Sequence, residues 1–253
     1  MPKDMQLKKQ IRPVVVLWLA LSPLAATVAQ RGGSDARAEA LAQKVMQRMG
    51  GESAWASTRY LAWTFNDQYQ LWDKHRNRFR WEMEDFVVIL NTKTKYGKAY
   101  KGGQEIQDEA EKRKLLERVY ALYIYNTYWL VMPFKLQDPG VALRYIGAGN
   151  TMDGSEADVL EMTFGEVGLT PQNRYRVWVD RGQGLVTQWA FYLNASDTEP
   201  IFTRRWANYQ RYGKIKLASD RSNPQSDFEL FHIASPPSVP ERVFNSPTPI
   251  KKF

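Results

Sequence analysis

The chain has 253 residues, with 35 Lys or Arg against 27 Asp or Glu, a net charge of +8, and 9 tryptophans. It contains no cysteine, which excludes structural disulfides, thiol catalysis, iron–sulfur clusters, cysteine-rich zinc sites and the acylated cysteine of a bacterial lipoprotein. The only histidines, His75 and His232, are too far apart in sequence to suggest a transition-metal site.

The first element reads as an export signal over Met1–Ala29. Lys3, Lys8, Lys9 and Arg12 form a basic region, Val14–Leu21 an apolar one, and Ser22-Pro23 breaks it before the small residues Ala25-Ala26-Thr27-Val28-Ala29. An uncleaved anchor over Ile11–Ala29 is the alternative, but Pro13, Ser22 and Pro23 interrupt it. Taking off four basic residues and Asp4 leaves 31 basic against 26 acidic, or +5. Ordinary solubility accounts for that charge as well as attraction to acidic ligands or anionic membranes does. A remaining chain of about 220 residues can bury a full core without staples.

Ser34–Met49 carries Ala38, Leu41, Ala42, Val45, Met46 and Met49 at helical spacing, with Ser34 or Asp35 as cap and Gly50-Gly51 as stop. Short strands follow at Thr58–Phe65, Gln68–Trp72, Arg78–Met83, Phe86–Leu90 and Lys95–Tyr100, at the close spacing of antiparallel hairpins. Within Arg78–Met83, Phe79, Trp81 and Met83 face one way and Arg78, Arg80 and Glu82 the other. Gln107–Tyr125 predicts a helix, and Tyr128–Phe134 stays apolar until Pro133. Strands return at Val141–Ile146, Asp158–Phe164, Arg174–Asp180, Leu185–Leu193, Ile201–Tyr209, Lys214–Ser219 and Asp227–Ala234. In the hairpin around Asp180–Gly184, Tyr175, Val177 and Val179 oppose a return face of Leu185, Thr187, Trp189, Phe191 and Leu193. Pro236, Pro237, Pro240, Pro247 and Pro249 predict an extended, mobile tail.

The domain layout is therefore a signal at 1–29, one domain over 30–234 and a Pro-rich tail over 235–253. The fold class is α+β, mostly antiparallel β: one large, strongly curved sheet, a half-open barrel, with helices covering its concave face.

No Gly-x-Ser-x-Gly elbow or phosphate-binding loop is present, and neither catalytic residues nor a cofactor is expected. Carboxylate pairs such as Glu161 with Glu166, or Glu82 with Glu84, leave a hydrolase of envelope or saccharide substrates as one alternative. His75–Trp81 mixes basic and aromatic residues, but strand alternation puts them on opposite faces, so nucleic acid is not an expected partner. The aromatic excess is the stronger signal. Phe79, Trp81, Met83, Trp63, Trp189 and Phe191 on strands, with Trp129, Met132 and Phe134 on the mid-chain segment, are candidates for either a filled core or an apolar ligand pocket.

The leader, opening helix, consecutive hairpins and mid-chain helix together resemble the lipoprotein-carrier superfamily of the bacterial periplasm, half-open barrels closed by helices that transport acylated lipoproteins. Tyr128–Gly140, Phe164–Pro171 and Trp206–Gly213 also resemble an uncharacterised family of exported bacterial proteins. The leader implies a periplasmic or secreted protein, expected as a monomer, and the carrier resemblance implies that it binds an apolar or acylated ligand. A module that binds another envelope protein is the other alternative.

Overall fold

The computed structural model describes residues 34–250 and Phe253, so the leader read at 1–29 lies outside the described residues. Helix α1 (Ala36–Arg48) begins where Asp35 Oδ1 accepts the Ala38 N–H at 2.7 Å, and it buries Ala38, Ala42, Val45 and Met46. Gly50 and Gly51, both at positive φ, end it and lead into a short α2 (Glu52–Ser57).

Six strands then form a meander: β1 (Tyr60–Phe65), β2 (Gln68–Asp73), β3 (Arg78–Met83), β4 (Phe86–Asn91), β5 (Gly97–Lys101) and β6 (Gln104–Glu105). Trp63, Gln70, Trp81, Val88 and Ala99 stand opposite one another in register and share the inner face. Helix α3 (Glu109–Val131), capped by Asp108, runs a full turn and more beyond the expected Tyr125. Pro133 then lies in a 3₁₀ turn over Met132–Lys135.

A second ladder holds β7 (Val141–Asn150), β8 (Glu156–Phe164), β9 (Arg174–Asp180), β10 (Val186–Tyr192) and β11 (Phe202–Arg205). A hairpin of β12 (Ala207–Tyr212) and β13 (Ile215–Asp220) follows, and β14 (Phe231–Ala234) pairs with β1. Backbone bonds join these ladders into one belt. Trp206 N–H donates to Thr187 O at 2.8 Å, and Leu230 N–H donates to Ser219 O at 2.9 Å beside the Asp220–Glu229 bridge. The belt stays open between β6 and β7. Its β7 edge is covered by the entry to α1, where Asp35 N–H donates to Leu143 O at 3.0 Å and Asp35 Oδ2 accepts from Tyr145 N–H at 2.7 Å. Residues of both ladders, α1 and α3 share one inner core.

The strand expected over Ile201–Tyr209 is broken at Trp206 into β11 and β12, and two further expectations change. The return face of the β9–β10 hairpin does not alternate as Leu185, Thr187, Trp189: a bulge between Val186 and Gln188 takes Thr187 off the inner face and puts Val186 there instead. Nor is the Pro-rich tail loose. Val239, Val243 and Phe244 pack on the outer face of the first ladder, against Tyr60, Tyr69, Leu71, Val87, Ile89 and Tyr100. Arg80, wholly buried, donates to the carbonyls of Val243, Ser246 and Thr248 at 2.8, 2.7 and 2.6 Å. Glu82 accepts the Ile250 N–H at 3.0 Å. The Arg-bearing face of β3 is therefore clasped by the chain's own end, because carbonyls of a proline-rich strand have no ladder partners and can accept from a guanidinium.

Candidate functional site

The nine aromatic and methionine candidates separate into two groups. Trp63, Phe79 and Trp81 are buried on the inner face of the first ladder, with Met83 half-buried at the end of β3. Trp63 and Phe79 lie 6.2 Å apart, Tyr123 of α3 comes within 5.0 Å of Phe79, and Trp81 Nε1 donates to Gln68 Oε1 at 2.8 Å. Burial pushes the Tyr123 hydroxyl up to about 12. Met132 and Phe134 are equally buried, and Phe134 stacks on Trp55 at 4.3 Å. These six belong to packed core.

Trp129, Trp189 and Phe191 meet elsewhere, where the end of α3 faces the second ladder. Tyr175 of β9, Phe191 of β10 and Phe202 of β11 stand directly across from one another. Their ring centroids are 5.2 and 5.4 Å apart. Tyr128 stacks on Tyr175 at 6.0 Å and meets Phe164 at 6.3 Å. Trp129 meets Trp189 at 5.0 Å edge-on, and Phe202 and Phe228 at 5.3 Å each. Trp189 is fully buried at the base, whereas Tyr128, Trp129, Phe164, Tyr175, Phe191, Phe202 and Phe228 are half-buried. Burial raises the hydroxyl pKa of both Tyr128 and Tyr175, as expected of phenols in apolar surroundings.

The α3 backbone lies close to β4, β5 and β13, and its rings reach β1, β2 and β3 of the first ladder as well as β8, β9, β10 and β11 of the second. Arg221 fixes its end: this wholly buried guanidinium lies 3.5 Å from the Trp206 ring and donates from Nη2 to Trp129 O at 2.8 Å. Burial lowers its pKa to about 9.

Reading alternation alone missed Tyr128, Phe164, Tyr175, Phe202 and Phe228. Tyr175 was within reach, since it lies on the face of β9 that the hairpin turns inward. The bulge at Thr187 is what aligns it with Phe191.

Two cavities, of about 230 and 350 Å³, lie away from these rings: one beside Arg37, Lys44 and Asp158, the other beside Arg242, Val243 and Ile250. Glu161 accepts from Arg144 and Arg174 at 2.7 and 2.8 Å; burial would raise its pKa, but the two guanidiniums outweigh it and hold the carboxyl below its usual range. A buried general acid needs the opposite shift. His75 Nε2 lies 2.8 Å from Ala56 O and His232 Nδ1 2.9 Å from Thr64 Oγ1. Among the described residues no group of three His, Asp or Glu could hold a metal ion, and no helix is long and apolar enough to cross a membrane.

No family model and no curated protein matches the chain. Among solved structures, it is similar to a DUF1329 family protein from Desulfovibrio piger (TM-score 0.44, 11% identity, covering 82% of this chain and 96% of that one). It is also similar to a LolA superfamily protein from Nitrosomonas europaea (TM-score 0.36, 11% identity, 82% and 96%). MucB in complex with MucA(peri) matches at TM-score 0.24 with 12% identity, over 82% of this chain and 58% of that one.

Proposed function

We propose that this protein is exported and binds an apolar or acylated ligand between the end of α3 and the second ladder. The observation that carries this is the seam of half-buried rings. There ring–ring contacts line the junction of the helix end and the sheet, and an alkyl chain can replace such contacts. Each buried methylene contributes about 0.8 kcal/mol, which makes affinity rise with chain length. Titrating straight-chain alcohols of increasing length against tryptophan fluorescence tests the reading, because Trp129 and Trp189 line the seam. A three- to fourfold gain per methylene supports it; no quenching at any length sinks it.

Export rests on the leader, and intact mass of secreted material starting after Ala29 is the expected result. A product still starting at Met1 would overturn it. A second reading, docking against another envelope protein, is favoured by the loop tips beside the seam. Val167, Leu169, Leu193 and Ile201 are exposed at the same end of the second ladder. Co-purification that survives loss of acyl binding, and is lost when Leu193 and Ile201 become serine, would favour it.

A further inference from the structure

Arg204 stands directly opposite Trp189 on the ladder, so its side chain shares the inner face with the aromatic seam. Its guanidinium lies 5.5 Å from the Phe228 ring and 6.0 Å from Phe202, both of which touch Trp129. It donates to Arg221 O at 3.0 Å and to Ser226 Oγ at 3.1 Å, which leaves three of its five N–H groups uncommitted. Among the described residues it has no carboxylate partner, unlike Arg205 next to it, which pairs with Asp153.

A half-buried guanidinium without an acid, at the side of an apolar surface, is costly unless something anionic joins it. Burial lowers its pKa, with no carboxylate opposing that effect. The neighbouring Trp189 indole N–H is also buried without an acceptor. Arg221 does not compete for an anion, because Trp129 O, Ala218 O and Asp220 O already take its donors.

We infer that the ligand is a long-chain carboxylate whose head is held by Arg204 while its chain lies among Trp129, Trp189, Phe202 and Phe228. One guanidinium offers one bidentate face and one positive charge, which matches a monoanionic carboxylate. The inference rests on the acyl-binding reading above.

The test compares dodecanoate with dodecan-1-ol, equal in chain and different in charge, by fluorescence titration of the whole chain, its Arg204→Gln variant and its Arg204→Lys variant. Arg204→Gln should lower the ratio of dodecanoate to dodecanol affinity at least tenfold, and Arg204→Lys should recover part of it. Raising salt should weaken dodecanoate binding to the unaltered protein and leave dodecanol binding in place, a readout that stands even where a variant fails to fold. An unchanged ratio in a folded Arg204→Gln variant, or carboxylate binding insensitive to salt, overturns the inference and leaves acyl binding intact. Dodecyl phosphate bound more tightly than dodecanoate, and dependent on Arg204, overturns the carboxylate assignment. Neither probe binding to the unaltered protein overturns both readings.

Discussion

The two ladders meet the same helix with opposite results. On the first, Trp63, Phe79 and Trp81 are shut away, and the tail closes the outer face behind them. Against the second, Tyr128 and Trp129 extend to rings that remain half exposed. Similar alternating aromatics are thus fully buried on the first ladder and, Trp189 apart, half-buried on the second. The difference lies in burial rather than in residue type.

The largest effect should come from the closed half. Trp81→Ala removes a buried indole and its bond to Gln68, and should cost about 4 kcal/mol in urea unfolding with acyl binding unaltered. A loss near 1 kcal/mol together with weakened acyl binding would erase the contrast. Arg80→Ala should follow at about 3 kcal/mol, because it removes a buried ion pair with Glu82 and the donors to Val243, Ser246 and Thr248, and so frees the tail. Its check is hydrogen exchange at 240–250, which should accelerate while the second ladder keeps its protection.

Asp73 sharpens the comparison through pH. Burial would raise its pKa, but hydrogen bonds from Arg59 and Arg78, both at 2.9 Å, outweigh that and hold it below its ordinary 3.8. A carboxyl with a lowered folded pKa contributes stability above its unfolded value and loses it as pH falls through the folded one. Stability should therefore decline below about pH 4, and Asp73→Asn, costing about 2 kcal/mol at neutral pH, should flatten that decline. A variant with the same acid profile as the parent would remove Asp73 from the account. The smallest stability effect belongs to the seam: Phe191→Ala should cost about 1 kcal/mol, since its ring is half-buried, yet weaken acyl binding several-fold. Unaltered binding would argue that the rings are surface alone.

Much of the architecture could be read from spacing. Period-two runs and Asn, Asp and Gly turns located nearly every strand, and Ser34–Met49 anticipated α1 within two residues at each end. Other features depend on contacts between distant parts of the chain. Arg78 and Arg80 alternate as a solvated face would, and the carbonyls that bury Arg80 come from Val243, Ser246 and Thr248, more than 160 positions away. The candidate site was read in part. Trp129, Trp189 and Phe191 are in the seam, but alternation assigns a face and not a distance, so Trp63, Phe79 and Trp81 looked equivalent to them. Tyr175 depends on the bulge at Thr187, Phe202 on the pairing of β11 with β10, and Phe228 reaches Trp129 only through the return of the chain toward β14.

Photo-crosslinking with a diazirine-bearing dodecanoate, followed by peptide mapping, tests the central claim most directly. Label should concentrate on peptides carrying Tyr128 and Trp129, Tyr175, Phe191, and Phe202 with Arg204, and excess unlabelled dodecanoate should compete it away. Label on the peptides of Trp63, Phe79 and Trp81, or spread evenly without competition, would contradict a seam between α3 and the second ladder.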